Sequence, residues 1–197
     1  MKKKIWIRLG ILLVLVAGFA VRFCIVNHDV DVPEVLTYEK GEEVPLEKDF
    51  FYYSSEDMEG YSIQVLDSAL YSVDEFLKEY HAEDIAEYMG DFTDYIYTVR
   101  LKVSNHGNEQ VGEKGIALTR CYLKGVDYIL SLEEACYQAA NPDMPGSSFS
   151  IRNGTSIEVV ATYEVLDRLT SKKHILAHPP KLMISLYPHQ KLLEIVE

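Results

Sequence analysis

Cys121 and Cys136 are the only cysteines beyond the apolar N-terminal stretch. A thiol pair in an oxidising compartment can form a disulfide. Such a bridge would close a loop of about 15 residues and contribute roughly 3 kcal/mol in the chain-entropy model. One cysteine falls in a predicted strand and the other inside a predicted helix. The sequence therefore leaves two states open, a Cys121–Cys136 disulfide or two buried free thiols. Catalysis by either thiol has no support, because no histidine lies in a helpful local pattern.

The remaining chemistry is sparse. His174 and His178 stand four apart, a spacing that puts two imidazoles on one helix face and suits a metal. Lys172, Lys173 and Pro179-Pro180 surround them with no acidic helper between, so a solvated loop is expected instead. Asp91 and Asp94, with Glu83, Asp84 and Glu87, could offer oxygen ligands to calcium, but they lack calcium-loop spacing and read as a solvated acidic face. Asn153-Gly154-Thr155 matches a glycosylation sequon and, more simply, a turn. No G-x-S-x-G, P-loop or H-E-x-x-H occurs. The expectation is a chain with no catalytic, metal-binding or cofactor-binding residues.

The elements that would position such groups are mostly strands. Tyr95 to Asn105 alternates with period two: Tyr95, Tyr97, Val99, Leu101 and Val103 on one face, Ile96, Thr98, Arg100, Lys102 and Ser104 on the other. It predicts a long antiparallel strand with one face on a core and one face wet. Tyr61 to Leu66, Ile157 to Val165 and Leu182 to Leu186 alternate likewise, and Ile116 to Lys124 predicts another strand. Leu192 to Val196 returns as a last short one. Ser72-Val-Asp-Glu75 is a capping box opening a helix to about His81, and Ser131-Leu-Glu-Glu134 opens a second to about Ala140. Pro142 stops the second. Phe50 to Tyr53 is too apolar for a free linker and is placed against the domain.

The ends of the chain differ in charge. Residues 1–28 carry five basic residues and no acidic one; residues 29–197 carry 31 acidic against 14 basic, a formal charge of −17. Nucleic acid is excluded as a partner, since such a body repels it. Ile5 to Val26 is long enough to cross a bilayer if Arg8 and Arg22 snorkel to the interfaces. Lys2 to Lys4 then hold the N-terminus in the cytoplasm. A cleaved signal peptide is the competing expectation, with Gly18 and Ala20 near a cleavage point. Cys24 does not suit a lipid attachment site, because Val21, Arg22 and Phe23 precede it.

These elements predict a mainly β fold: an immunoglobulin-like antiparallel β-sandwich with two short helices in its connections, preceded by one N-terminal transmembrane helix. Parallel βαβ units are excluded, since each strand pair would need its own crossover. Three segments follow: 1–28 as signal anchor, 29–49 as acidic spacer or edge segment, and 50–197 as the sandwich.

GEEVPLEKDFFYY, EGYSIQVLDSALYS, YTVRLKVSNHGNE, NGTSIEVVATYEV and LMISLYPHQKLLEIV, in that order behind a basic leader, resemble an uncharacterised family of exported, membrane-anchored proteins of Gram-positive bacteria. The resemblance covers about residues 40–197. It implies a telokin-like, immunoglobulin-like sandwich and no established activity, so it brings no catalytic residues. The Cys–Trp–Cys core of antibody domains is absent, and the lone tryptophan is Trp6 in the leader.

The expected function is a non-enzymatic, extracytoplasmic binding or interaction module. It is tethered to the cell membrane through residues 5–26, with an envelope protein or cationic ligand as its partner. Loops 82–94, 107–115 and 141–153 are the expected contact surfaces. The alternative is a structural or assembly subunit that associates through its transmembrane helix.

Overall fold

The structure, a computed structural model, describes residues 2–28, 32–53, 58–86, 89, 93–109 and 115–196. The chain separates into two compact units, Met1–Val32 and Pro33–Glu197. The first is one helix, α1 (Lys2–His28). Lys4–His28 is long and apolar enough to span a membrane or to serve as a signal sequence. Its large apolar side chains from Ile5 to Val26 are each more than half exposed. An apolar character all round is the pattern of a buried or membrane-spanning helix.

The second unit begins with β1 (Glu34–Tyr38) and β2 (Glu43–Pro45), both within the stretch set apart as spacer or edge segment. β3 (Tyr61–Ser72) leads directly into α2 (Val73–Glu79). β4 (Tyr95–Asn105) is followed by β5 (Ile116–Ala117), β6 (Tyr122–Lys124) and β7 (Ile129–Leu130). Then come α3 (Glu134–Ala140), β8 (Ser148–Phe149), β9 (Ser156–Val165), α4 (Lys172–Ala177), β10 (Lys181–Met183) and β11 (His189–Glu194).

The strands form a five-stranded sheet, β1-β11-β10-β6-β7, a four-stranded sheet, β2-β3-β4-β9, and a small β5-β8 pair. β1 runs parallel to β11, whereas the long β3-β4-β9 ladder is antiparallel. Buried side chains from both larger sheets join one apolar cluster, including Ile63, Val99, Leu101, Val159 and Tyr163 from one and Leu123, Leu182 and Leu193 from the other.

Several sequence expectations need correction. The second face of β4 is not wet along its length. Ile96, Thr98 and Ser104 are buried and Lys102 is half-buried, leaving Arg100 exposed. Ile96 joins Phe76 and Leu77 of α2, Ala82, and Cys136 of α3 in a second apolar cluster, so the short helices cover that face. Ile116–Lys124 is not one strand: a 3-10 turn at Leu118–Arg120 breaks it. The helix expected to open at Ser131 starts at Glu134 instead. Glu133, not Ser131, caps it, with Oε2 accepting from the Cys136 amide at 2.7 Å. Residues around His174 form α4 rather than a loop, capped by Ser171.

The capping box at Ser72 and Glu75 forms as expected: Glu75 N–H donates to Ser72 Oγ and Ser72 N–H to Glu75 Oε2. β9 is a long edge strand, a hazard unless its free backbone groups are covered. The Asn141 side chain covers them as a strand would. Its Oδ1 accepts from Val160 N–H and its Nδ2 donates to Val160 C=O, each at 2.8 Å. Glu133 N–H extends the cover by donating to the Thr162 carbonyl at 2.8 Å.

Candidate functional site

Two concave regions of the second unit carry its densest chemistry. The first is a cleft of about 530 Å³ bordered by the β2 end, the 58–61 segment, His106 and the start of β11. Beneath it, Lys191 of β11 is almost fully buried. Its Nζ reaches the Pro45 carbonyl at 2.8 Å, Glu47 Oε2 at 2.6 Å and Asp49 Oδ2 at 2.8 Å. The Asp49 contact is a close ion pair rather than a well-aligned hydrogen bond, because Oδ2 lacks hydrogen-bond geometry to any partner. Asp49 is itself buried, and its Oδ1 meets His189 Nδ1 at 3.1 Å. Burial pulls the Lys191 ammonium down, but bonding to Asp49 and Glu47 more than offsets this, so it stays charged above the ordinary lysine range. The group ties the 45–49 segment to β11.

His106, which lines the cleft, is anchored beside it: Glu43 Oε1 accepts from Ser62 Oγ at 2.5 Å and meets His106 Nε2 at 2.6 Å. The Ser62 hydroxyl, and then His106, hold the Glu43 carboxyl down at about 2. Ser62 Oγ also lies 3.1 Å from His106 Nε2. A nucleophilic relay needs serine and acid on opposite ring nitrogens. Here both share Nε2, and the serine proton is directed at the acid, so the cluster orients groups without activating Ser62.

Asn105 sets the position of His106. Its Oδ1 accepts from the Gly107 and Asn108 amides, and its Nδ2 donates to the Asn108 and Ile151 carbonyls. Gly60 packs beneath this turn at φ +90°, and a Cβ there would stand 2.6 Å from the Asn108 nitrogen.

The second region is a groove of about 420 Å³ between residues 127–133 and 164–170. Ile129 and Leu169 line it and are both largely exposed. Asp127, Glu133 and Glu164 are the charged residues of its lining, and none of the residues lining it is basic. Asp127 pairs with His174 Nε2 at 2.9 Å. Glu133 is engaged through Oε2 as the α3 cap, and Glu164 accepts from the Thr93 hydroxyl. Among the described residues neither Glu133 nor Glu164 has a lysine or arginine partner. Burial, then the Glu133 and Glu164 charges, push the nearby Cys136 thiol well up, so it stays protonated.

The residues singled out in the sequence are scattered. Cys121 and Cys136 are free and buried in this structure, in separate apolar clusters on opposite faces of the four-stranded sheet. Burial raises the Cys121 thiol to about 12, which makes it a poor nucleophile. His174 and His178 lie on α4 and at its C-cap with rings 5.1 Å apart. Among the described residues, no group of three or more His, Cys, Asp or Glu is placed to hold a metal ion. Glu83 and Asp84 lie in an exposed 3-10 turn, and Asp94 accepts from the Asp167 amide at 2.8 Å. Glu87 and Asp91 fall outside the described residues. Asn153-Gly154-Thr155 makes a turn closed by the Thr155 N–H on the Arg152 carbonyl.

Sequence reasoning missed both concave regions. The cleft joins residues far apart in the chain. The groove had a faint signal, a largely apolar run from Tyr128 to Leu132 bracketed by Asp127 and Glu133.

A family model described as a domain of unknown function (DUF5028) matches residues 35–191. No curated protein and no solved structure matches the chain.

Proposed function

The chain belongs to the DUF5028 family, and we propose that it is a membrane-tethered, extracytoplasmic binding module. In this reading α1 crosses the cell membrane once with its N-terminus in the cytoplasm, and residues 33–197 form an immunoglobulin-like sandwich outside. The module is non-enzymatic and recognises an envelope protein or a cationic ligand.

One observation carries the reading: an apolar helix flanked by basic residues precedes a separate, strongly acidic compact unit. The positive-inside rule orients such a helix with Lys2 to Lys4 in the cytoplasm. An acidic unit held on the far side repels anions and attracts basic surfaces. The hydrogen bonding of Glu43, Ser62 and His106 supports positioning rather than nucleophilic attack.

In-cell cross-linking with mass spectrometry tests this, on the full-length protein and on a version whose residues 1–28 are replaced by an unrelated anchor. A partner that cross-links to residues 33–197 in both versions supports the module. Loss of the partner on the anchor swap replaces it with the alternative, an assembly subunit recognised through its transmembrane helix.

A further inference from the structure

The groove beside β7 brings exposed apolar side chains and carboxylates into one concavity. Scattered exposed apolar side chains are ordinary on protein surfaces. Here Ile129 and Leu169 face one concavity from two segments, with Val126 exposed in the hairpin turn between β6 and β7. β7 also ends the five-stranded sheet, so one of its edges has no strand partner among the described residues.

The charges decide what fits. Glu133 and Glu164 are half-buried in the lining. Each is fixed by a neutral donor, the Cys136 amide for one and the Thr93 hydroxyl for the other. Half-buried carboxylates ordinarily find cations, because removal from water is costly unless the charge is paired. No lysine or arginine of the chain supplies one among the described residues. An anionic or purely apolar occupant would worsen this imbalance, whereas a cation flanked by apolar groups would relieve it.

Resting on the binding-module reading, we propose that the groove is a docking site for a short basic and apolar segment of a partner protein. An arginine or lysine lies between Glu133 and Glu164, and neighbouring apolar side chains cover Ile129 and Leu169. Arginine suits the position better, since its planar fork can bond two carboxylates at once. The volume of about 420 Å³ accommodates a few side chains, at the low end of the range for ligand pockets.

The test uses the full chain in detergent micelles and a fluorescein-labelled seven-residue peptide of alternating arginine and leucine, read by fluorescence anisotropy. The double variant Glu133→Gln/Glu164→Gln keeps both neutral hydrogen bonds and removes both charges. Asp74→Asn/Glu79→Gln makes the same charge change on the exposed face of α2 and serves as the control. The proposal expects the groove variant to weaken binding at least tenfold and the control less than twofold. A peptide with serine in place of leucine should also lose at least tenfold. Equal weakening by the two variants, or full binding by the serine peptide, would mean general attraction to an acidic surface and overturn the proposal.

A photo-cross-linking residue at Ile129 or Leu169 in cells completes it. Capture at these positions, and not at Tyr53 or Tyr187, of a different protein through a segment that mass spectrometry shows to combine arginine or lysine with apolar residues supports the proposal, whereas capture through a segment lacking them, or a product of twice the chain's mass that puts a second copy in the groove, would overturn it. Peptide binding without a partner in the anchor-swap experiment would fail the module reading alone. A partner captured only elsewhere on residues 33–197 would fail the groove alone.

Discussion

The cleft above Lys191 and the groove beside β7 both gather carboxylates and treat them oppositely. In the cleft, Asp49 and Glu47 face a buried ammonium, and beside it Glu43 is held by a serine and by the cleft residue His106. In the groove, Glu133 and Glu164 rest on one amide and one hydroxyl. Charges satisfied within the chain fix a fold, whereas charges left without a counterion are available to an outside partner. The cleft is thus the structural region and the groove the receptive one, although the cleft holds more of the residue types associated with catalysis.

The largest effect that could break this contrast is at Lys191. Replacing it with methionine removes the ammonium and leaves buried Asp49 with His189 alone, and breaking a buried pair typically costs about 3–5 kcal/mol. Urea unfolding of Lys191→Met should show a loss of that order, and adding Asp49→Asn should recover part of it. A loss near zero would mean that the pair is solvated and the cleft is not a structural clamp.

Next is Asn141, which covers the edge of β9 through neutral bonds alone. It is buried and covers Val160 on both backbone groups. Asn141→Ala should cost about 2 kcal/mol by exposing unsatisfied edge groups. Hydrogen exchange should speed up at the Val160 amide before any amide of β3. Uniform acceleration would show instead that the edge cover belongs to global stability.

How much of this was legible in the sequence depends on the range of the interactions. β4, β9 and the Ser72 cap were legible because alternation and capping boxes are written in adjacent residues. β1 and β2 were obscured because their acidic, proline-containing sequences resemble a linker. Pairing with distant β11 and β3 is what makes them strands. α4 was hidden by the lysines and prolines around His174, though Ser171 followed by Ile175 was a usable signal. The wet face assigned to β4 failed for the same reason, since Ile96 is covered by helices that local alternation cannot foresee. The Lys191–Asp49 pair has no local signature at all.

Acid titration sharpens the comparison within the cleft. The folded Glu43 carboxyl is held down at about 2, below its ordinary value of 4.5, by its bonds to Ser62 and His106. A lowered folded value means that its stabilisation is present above about pH 4.5 and is lost as pH falls towards 2. Glu43 and His106 are partly exposed, so solvent screening limits the contribution to about 1 kcal/mol. Glu43→Gln should flatten that part of the stability profile between pH 4.5 and 2 while leaving the neutral-pH fold intact. An unchanged acid limb would assign the loss to other carboxylates.

The smallest effect on stability is expected where the effect on binding is largest. Glu133→Gln/Glu164→Gln retains the α3 cap and the Thr93 bond while relieving two uncompensated charges. Its stability should therefore stay within about 0.5 kcal/mol of the parent, or rise, as surface changes without lost contacts do. A protein keeps an unfavourable charge arrangement most readily where activity requires it. If thermal unfolding showed this variant to be strongly destabilised, the groove acids would be structural after all, and the two regions would differ only in the identity of their hydrogen-bond donors.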